Sequence, residues 1–135
     1  MPLPPLLLER SFPVQLALAV VLPVAYGVLT GYMLGQSAAA YAVLSILGVL
    51  GGIAAGFDHR GSDQGFVRGV CGGLLFGTAI LLAHSLFSQQ AKATLPHPHG
   101  VLVIVTTILG ALFGAIGGAL RLRTETRRGG AVPAL

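Results

Sequence analysis

Charge is what this chain has least of. Eight basic and four acidic residues among 135 leave only 9% of the sequence charged, against about 25% in a soluble domain. None of the acids, Glu9, Asp58, Asp63 and Glu125, lies inside a long apolar run. That argues against proton- or cation-coupled transport, which places carboxylates at membrane depth. Cysteine occurs once, at Cys71, so no internal disulfide can form. Within its glycine-rich apolar stretch, Cys71 is expected to be a small buried packing residue. The chain also lacks a Ser/His/Asp set, paired carboxylates at membrane depth, an HExxH motif and a phosphate-cradling loop. Neither enzymatic activity nor a cofactor is expected from it.

In place of charge there is apolar sequence, 54% hydrophobic with a mean hydropathy of +0.85. It falls into four segments, residues 13–35, 39–57, 65–88 and 100–120. Each is close to the roughly 20 residues needed to cross about 30 Å of hydrocarbon. The expected fold is an all-α integral membrane protein, a four-transmembrane-helix bundle forming one domain over residues 1–128, with a flexible tail at 129–135. Ser11 is placed to cap the first helix and Pro13 fits its first turn. Pro23, well inside that helix, should kink it. Only Gln36 to Ala38 separate the first two segments, which therefore form a tight antiparallel hairpin.

Glycine is the abundant residue, with 20 copies, many at four-residue spacing. The first two stripes are Gly27, Gly31 and Gly35, then Gly48, Gly52 and Gly56. The third is Gly65, Gly69, Gly73 and Gly77, and the fourth Gly110, Gly114 and Gly118. Each interior glycine costs a helix about 1 kcal/mol relative to alanine. In lipid, a bare stripe lets a neighbouring helix come closer than the usual 8–10 Å or so. All of these glycines are therefore expected on helix-packing faces, as glycine zippers. Ile46-Leu47-Gly48 with Gly52 and Gly56 matches Ile108-Leu109-Gly110 with Gly114 and Gly118. Gly27 and Gly31 align likewise with Gly73 and Gly77, a pattern compatible with a duplicated helical hairpin.

Orientation follows from the few charges. An even number of crossings puts both termini and the second loop on one side. That side holds Arg10, Arg60, Arg68, Arg121, Arg123, Arg127 and Arg128, and the other holds only Lys92. The bias predicts both termini in the cytoplasm, and the expected membrane is a bacterial plasma membrane. Residues 1–8 carry no positive charge and no small-residue cleavage site follows, so the first helix reads as an uncleaved anchor.

The densest polar cluster is the second loop, with Asp58, His59, Arg60, Asp63 and Arg68 within eleven residues. Arg68, one turn into the third helix, is expected to reach back to Asp63 or Asp58. The cluster reads either as a partner-docking site or ion vestibule, or as a solvated turn with snorkelling arginines. His84 is an intramembrane polar group, expected to be neutral and bonded to a hydroxyl or carbonyl. His97 and His99 share its side of the membrane, but with no acid or thiol beside them a metal site is not expected. Arg121 to Arg128 should lie at anionic lipid headgroups, and so short a tail is not a nucleic-acid-binding element. Taken together, the sequence reads as a small non-enzymatic membrane protein. It would assemble through glycine-rich helix faces, as a homo-oligomer or as an accessory or scaffold subunit of a membrane complex. The alternative is a homo-oligomeric channel or small-solute transporter with its pore between protomers.

Overall fold

A computed structural model of the chain describes residues 3–87 and 90–129. Four helices long and apolar enough to cross a membrane make up most of it, with no strand among the described residues. They are α1 (Phe12–Gln36), α2 (Ala38–Phe57), α3 (Ser62–Leu86) and α4 (Gly100–Gly129). A single 3-10 turn, Leu7–Glu9, precedes them.

Helix α1 starts at Ser11 through its backbone. The Ser11 carbonyl accepts the amides of Val14 and Gln15, while its hydroxyl makes no capping bond. The strain of Pro23 is taken up one turn earlier, where Ala17–Val21 forms a π-helical turn. Such turns are a recurrent way of absorbing a break in the hydrogen-bond ladder. The Leu22 amide bonds back to the Ala17 carbonyl, and residue 23 has no amide to give. The Leu18 carbonyl is thereby left for a donor from elsewhere.

Ser37 alone separates α1 from α2. Its hydroxyl accepts the Ala40 amide at 3.3 Å, a helix cap that the sequence reading did not single out. Helix α3 begins three residues earlier than expected, because Gly61 turns the chain with φ +93°. That conformation suits glycine, which has no Cβ to clash. Helix α4 runs through the arginine-rich segment to Gly129, beyond the expected end of the fourth segment at residue 120. The expected flexible tail otherwise falls on residues 130–135, outside the described residues, as does the expected end of the third segment at Ser88.

The most extensive contact is between α3 and α4, followed by α1 on α3 and α2 on α4, whereas α1 and α2 touch sparingly. The α3–α4 crossing is close enough that a methyl group added at Gly69 would strike the Gly110 carbonyl. One added at Gly65 would strike the Gly114 carbonyl, and one at Gly73 the Thr106 carbonyl. Gly77 sits against the Thr106 hydroxyl and Gly118 against the Gly61 carbonyl. Helix α2 meets α4 at Gly56, against the Gly114 carbonyl, and at Gly117, against the Ile53 carbonyl. Helix α1 meets α3 where Gly27 faces Ala79 and the Phe76 carbonyl, both 2.7 Å from a built Cβ, and where Gly31 faces the Ile80 carbonyl. Gly35 is buried at the end of α1. Cys71 is exposed rather than buried. It lies two residues from both Gly69 and Gly73, which turns it to the side of α3 away from α4.

Candidate functional site

The charges of the second loop do not form one cluster. Asp58 and Arg60 are drawn into contacts with the two ends of the chain, at one end of the bundle. The N-terminal segment folds back there, its Leu7 amide donating to the Asp58 carbonyl at 2.9 Å. Arg10 pairs with the Asp58 carboxylate at 3.3 Å. His59 donates from Nδ1 to the Ala55 carbonyl at 3.1 Å, and Arg60 reaches Glu125 at 3.3 Å. Arg121 holds this end together and is only 4% exposed. Its Nε donates to Glu125 at 2.8 Å, its Nη1 to the Pro4 carbonyl at 2.8 Å, and its guanidinium lies 5.5 Å from the Phe57 ring centroid. Arg121 was expected at lipid headgroups; it is instead an internal brace joining α4, α2 and the N-terminal segment. Asp63 stands exposed in the first turn of α3, where an acid complements the helix dipole.

Arg68 takes a different course from the one expected. It pairs with neither Asp63 nor Asp58, and its Nη2 donates to the Leu18 carbonyl of α1 at 2.7 Å. This is the carbonyl released by the π-helical turn and Pro23. The half-buried guanidinium thus crosses from α3 to α1 and makes no ion pair among the described residues. The signal that could have found it is the proline rather than any acid in the loop.

Arg68 stands at the waist of a groove between α1 and α2. Above it is an apolar chamber of about 330 Å³, and below it a wider one of about 750 Å³ reaching Asp58 and the N-terminal segment. The groove exists because side chains are missing. Gly48, Gly51, Gly52 and Gly72 line the upper chamber, with the backbone of Gly69 and Gly73 beside them. Nothing lies within 4 Å of a Cβ built at Gly51, and one at Gly52 makes only ordinary contact with Phe113 at 3.5 Å. Stacked rings of Tyr26 and Phe76, 5.7 Å apart, lie over Gly48 and close the upper end. The Tyr26 hydroxyl donates to the Leu44 carbonyl at 2.8 Å, tying α1 to α2 there. Leu22 and Leu47, on the rims, are both more than half exposed, so the groove opens sideways between the two helices.

Elsewhere the polar groups of the spans are mostly satisfied within their own helices. Thr30 donates to the Tyr26 carbonyl, and Thr106 and Thr107 both donate to that of Val103. His84 is half-buried with its Nδ1 enclosed and unbonded, which departs from the bonded histidine expected there. His97 and His99 stack at 4.9 Å, and among the described residues no three potential metal ligands gather. Comparison of the chain with family models, with curated proteins and with solved structures finds no match.

Proposed function

We propose that this chain is a small non-enzymatic membrane protein that assembles through the outer half of α2, with itself or as an accessory or scaffold subunit of a membrane complex. The observation that supports this is the state of α2. None of its most apolar 18-residue window is buried, against 33% of the corresponding window of α3. Leucine or valine facing lipid needs no explanation, since lipid tails are equally apolar. Exposed small residues on one face are more informative. Ala38 and Ala42 are exposed at four-residue spacing, with Ala39, Val43 and Ile46 beside them. A small-xxx-small face of this kind lets a second helix approach closely.

In this reading the glycines have a different task. The stripes of α3 and α4 act as a glycine zipper inside the protomer, together with Gly27, Gly31, Gly56 and Gly117, and so are spent before any second chain arrives. Both termini are cytoplasmic, as the arginine bias implies.

The test is the mass of the detergent-solubilised complex and the identity of whatever copurifies. Ala38→Leu with Ala42→Leu is expected to release protomers of 13.8 kDa. Val67→Ile, on an exposed part of α3, should leave the assembly intact. A protein monomeric from the outset overturns the reading. Ion or solute flux in protein-loaded liposomes would replace it with the channel, its pore between protomers.

A further inference from the structure

We infer that the groove between α1 and α2 binds one anionic phospholipid of the adjoining leaflet, with an acyl chain in the upper chamber and the phosphate on Arg68. This site goes beyond the proposed assembly through α2 and is separate from the arginines of the α4 end.

The first argument is charge. Three other arginines at this end are paired with acids: Arg10 with Asp58, and Arg60 and Arg121 with Glu125. Arg68 has no acid and uses one of its five N–H donors, on the Leu18 carbonyl. The other polar side chains around the upper chamber are already occupied, Tyr26 on Leu44 and Thr106 on Val103. In the lower chamber, Asp58 is ion-paired with Arg10 rather than with Arg68, which leaves the Arg68 guanidinium without a salt-bridge partner among the described residues. A guanidinium held against low-dielectric walls favours a phosphate, which it can bind through two parallel hydrogen bonds.

Shape is the second argument. From Arg68 to the Phe76 ring that closes the groove is eight residues of α3, or about 12 Å at the helical rise. One leaflet contributes about 15 Å of hydrocarbon. The upper chamber therefore begins near the interface and ends near the bilayer midplane, the course of an acyl chain. Its volume of about 330 Å³ is at the lower end of the range of ligand pockets, about 300–1,000 Å³. The wider lower chamber gives a glycerol and headgroup room that a free fatty acid would not use. The sideways opening supplies the route of entry directly from the bilayer.

The test uses the full chain in nanodiscs of phosphatidylglycerol or of phosphatidylcholine, extracted into detergent and weighed by native mass spectrometry. One phosphatidylglycerol per protomer is expected to remain bound, with phosphatidylcholine retained about tenfold less. Arg68→Gln removes the charge and keeps a shorter amide donor on the same side chain. It should lower phosphatidylglycerol retention by about tenfold and abolish the preference over phosphatidylcholine. Gly51→Leu, at a position with open space before it, fills the groove while Arg68 is intact. It should also prevent retention while leaving the thermal transition in place, so the proposal stays testable if the arginine variant fails to fold. Equal retention of the two lipids by the parent, retention of none, or unchanged retention in Gly51→Leu would overturn the site. Selective retention of added dodecanoate in place of phospholipid would overturn it as well.

Discussion

In the α3–α4 hairpin, glycine stands against backbone. Gly65, Gly69 and Gly73 on one helix meet the carbonyls of Gly114, Gly110 and Thr106 on the other, with no room for a methyl group between them. In the α1–α2 hairpin, three of the glycines of α2 stand against rings, an ordinary side-chain contact or empty space. Gly48 lies under Phe76 and Tyr26, Gly52 at van der Waals distance from Phe113, and Gly51 in the open. The two hairpins have similar composition and similar spacing, yet α3 and α4 meet glycine to backbone, while these three glycines of α2 leave a groove open. Four-residue glycine spacing thus records that a face is bare, while the partner decides whether bareness becomes contact or cavity.

Substitution at the tightest crossing should produce the largest contrast between the hairpins. Gly69→Leu must displace the α4 backbone at Gly110, because a carbonyl cannot rotate away as a side chain can. The expected loss exceeds the 1–3 kcal/mol or so of ordinary overpacking, and thermal unfolding in detergent should show no cooperative transition. Gly69→Ala should still destabilise measurably. A stable Gly69→Leu protein with native mass would show that the two hairpins do not differ as described.

Next in size is Arg121→Met, which tests what holds the splayed hairpin to the compact one. The change keeps an apolar stem but removes the donors to the Pro4 carbonyl and Glu125 and the contact with Phe57. Glu125 is partly exposed and keeps Arg60, so the loss should be about 2 kcal/mol, below the usual figure for a fully buried charge left unpaired. Hydrogen exchange at the Leu7 amide, which bonds to the Asp58 carbonyl, should accelerate, while amides of α3 facing α4 should not.

The spans were legible because about 20 consecutive apolar residues have few other uses. Two of their ends were legible as well, at Ser11 with Pro13 and at the short turn before α2. What could not be read was which face of each helix meets which neighbour, since periodicity gives faces and leaves their pairing open. Cys71 was placed inside on composition, whereas its angle from Gly69 and Gly73 puts it outside. Gly117 was passed over because it lies off the four-residue stripe, although beside Gly118 it gives α4 a second bare face, toward α2. The loop charges were read with their sequence neighbours, as local spacing requires. Their partners prove to be residues far along the chain: Arg10 for Asp58, Glu125 for Arg60. The Leu18 carbonyl that takes Arg68 is visible only after Pro23 and the π-helical turn have freed it.

A smaller effect is expected at the hydrogen bond between Tyr26 and Leu44 that ties α1 to α2 above the groove. Tyr26→Phe removes the hydroxyl bonded to the Leu44 carbonyl and retains the stacking on Phe76. Interhelical bonds in membrane proteins contribute about 0.6 kcal/mol on average, and a loss of this size should appear in the thermal transition. Cysteines placed at Leu22 and Leu47, on the two rims, should then crosslink over a wider range of reagent lengths. An unchanged crosslinking pattern would mean that the groove is held open by packing alone.

The smallest effect is expected where glycine faces space. Alanine at Gly51 meets nothing within 4 Å, and at Gly52 it gains an ordinary contact with Phe113. Each change also removes the backbone entropy that an interior glycine costs, worth up to about 1 kcal/mol in a helix. Gly51→Ala and Gly52→Ala should therefore leave stability unchanged or raise it slightly, in the opposite direction to Gly69→Ala on the facing hairpin. The sign is the informative quantity, because composition and spacing treat Gly52 and Gly69 alike and only the neighbouring backbone separates them. If Gly52→Ala lowers the thermal transition as far as Gly69→Ala does, α2 packs against a neighbour at that level and the groove is closed in the folded protein.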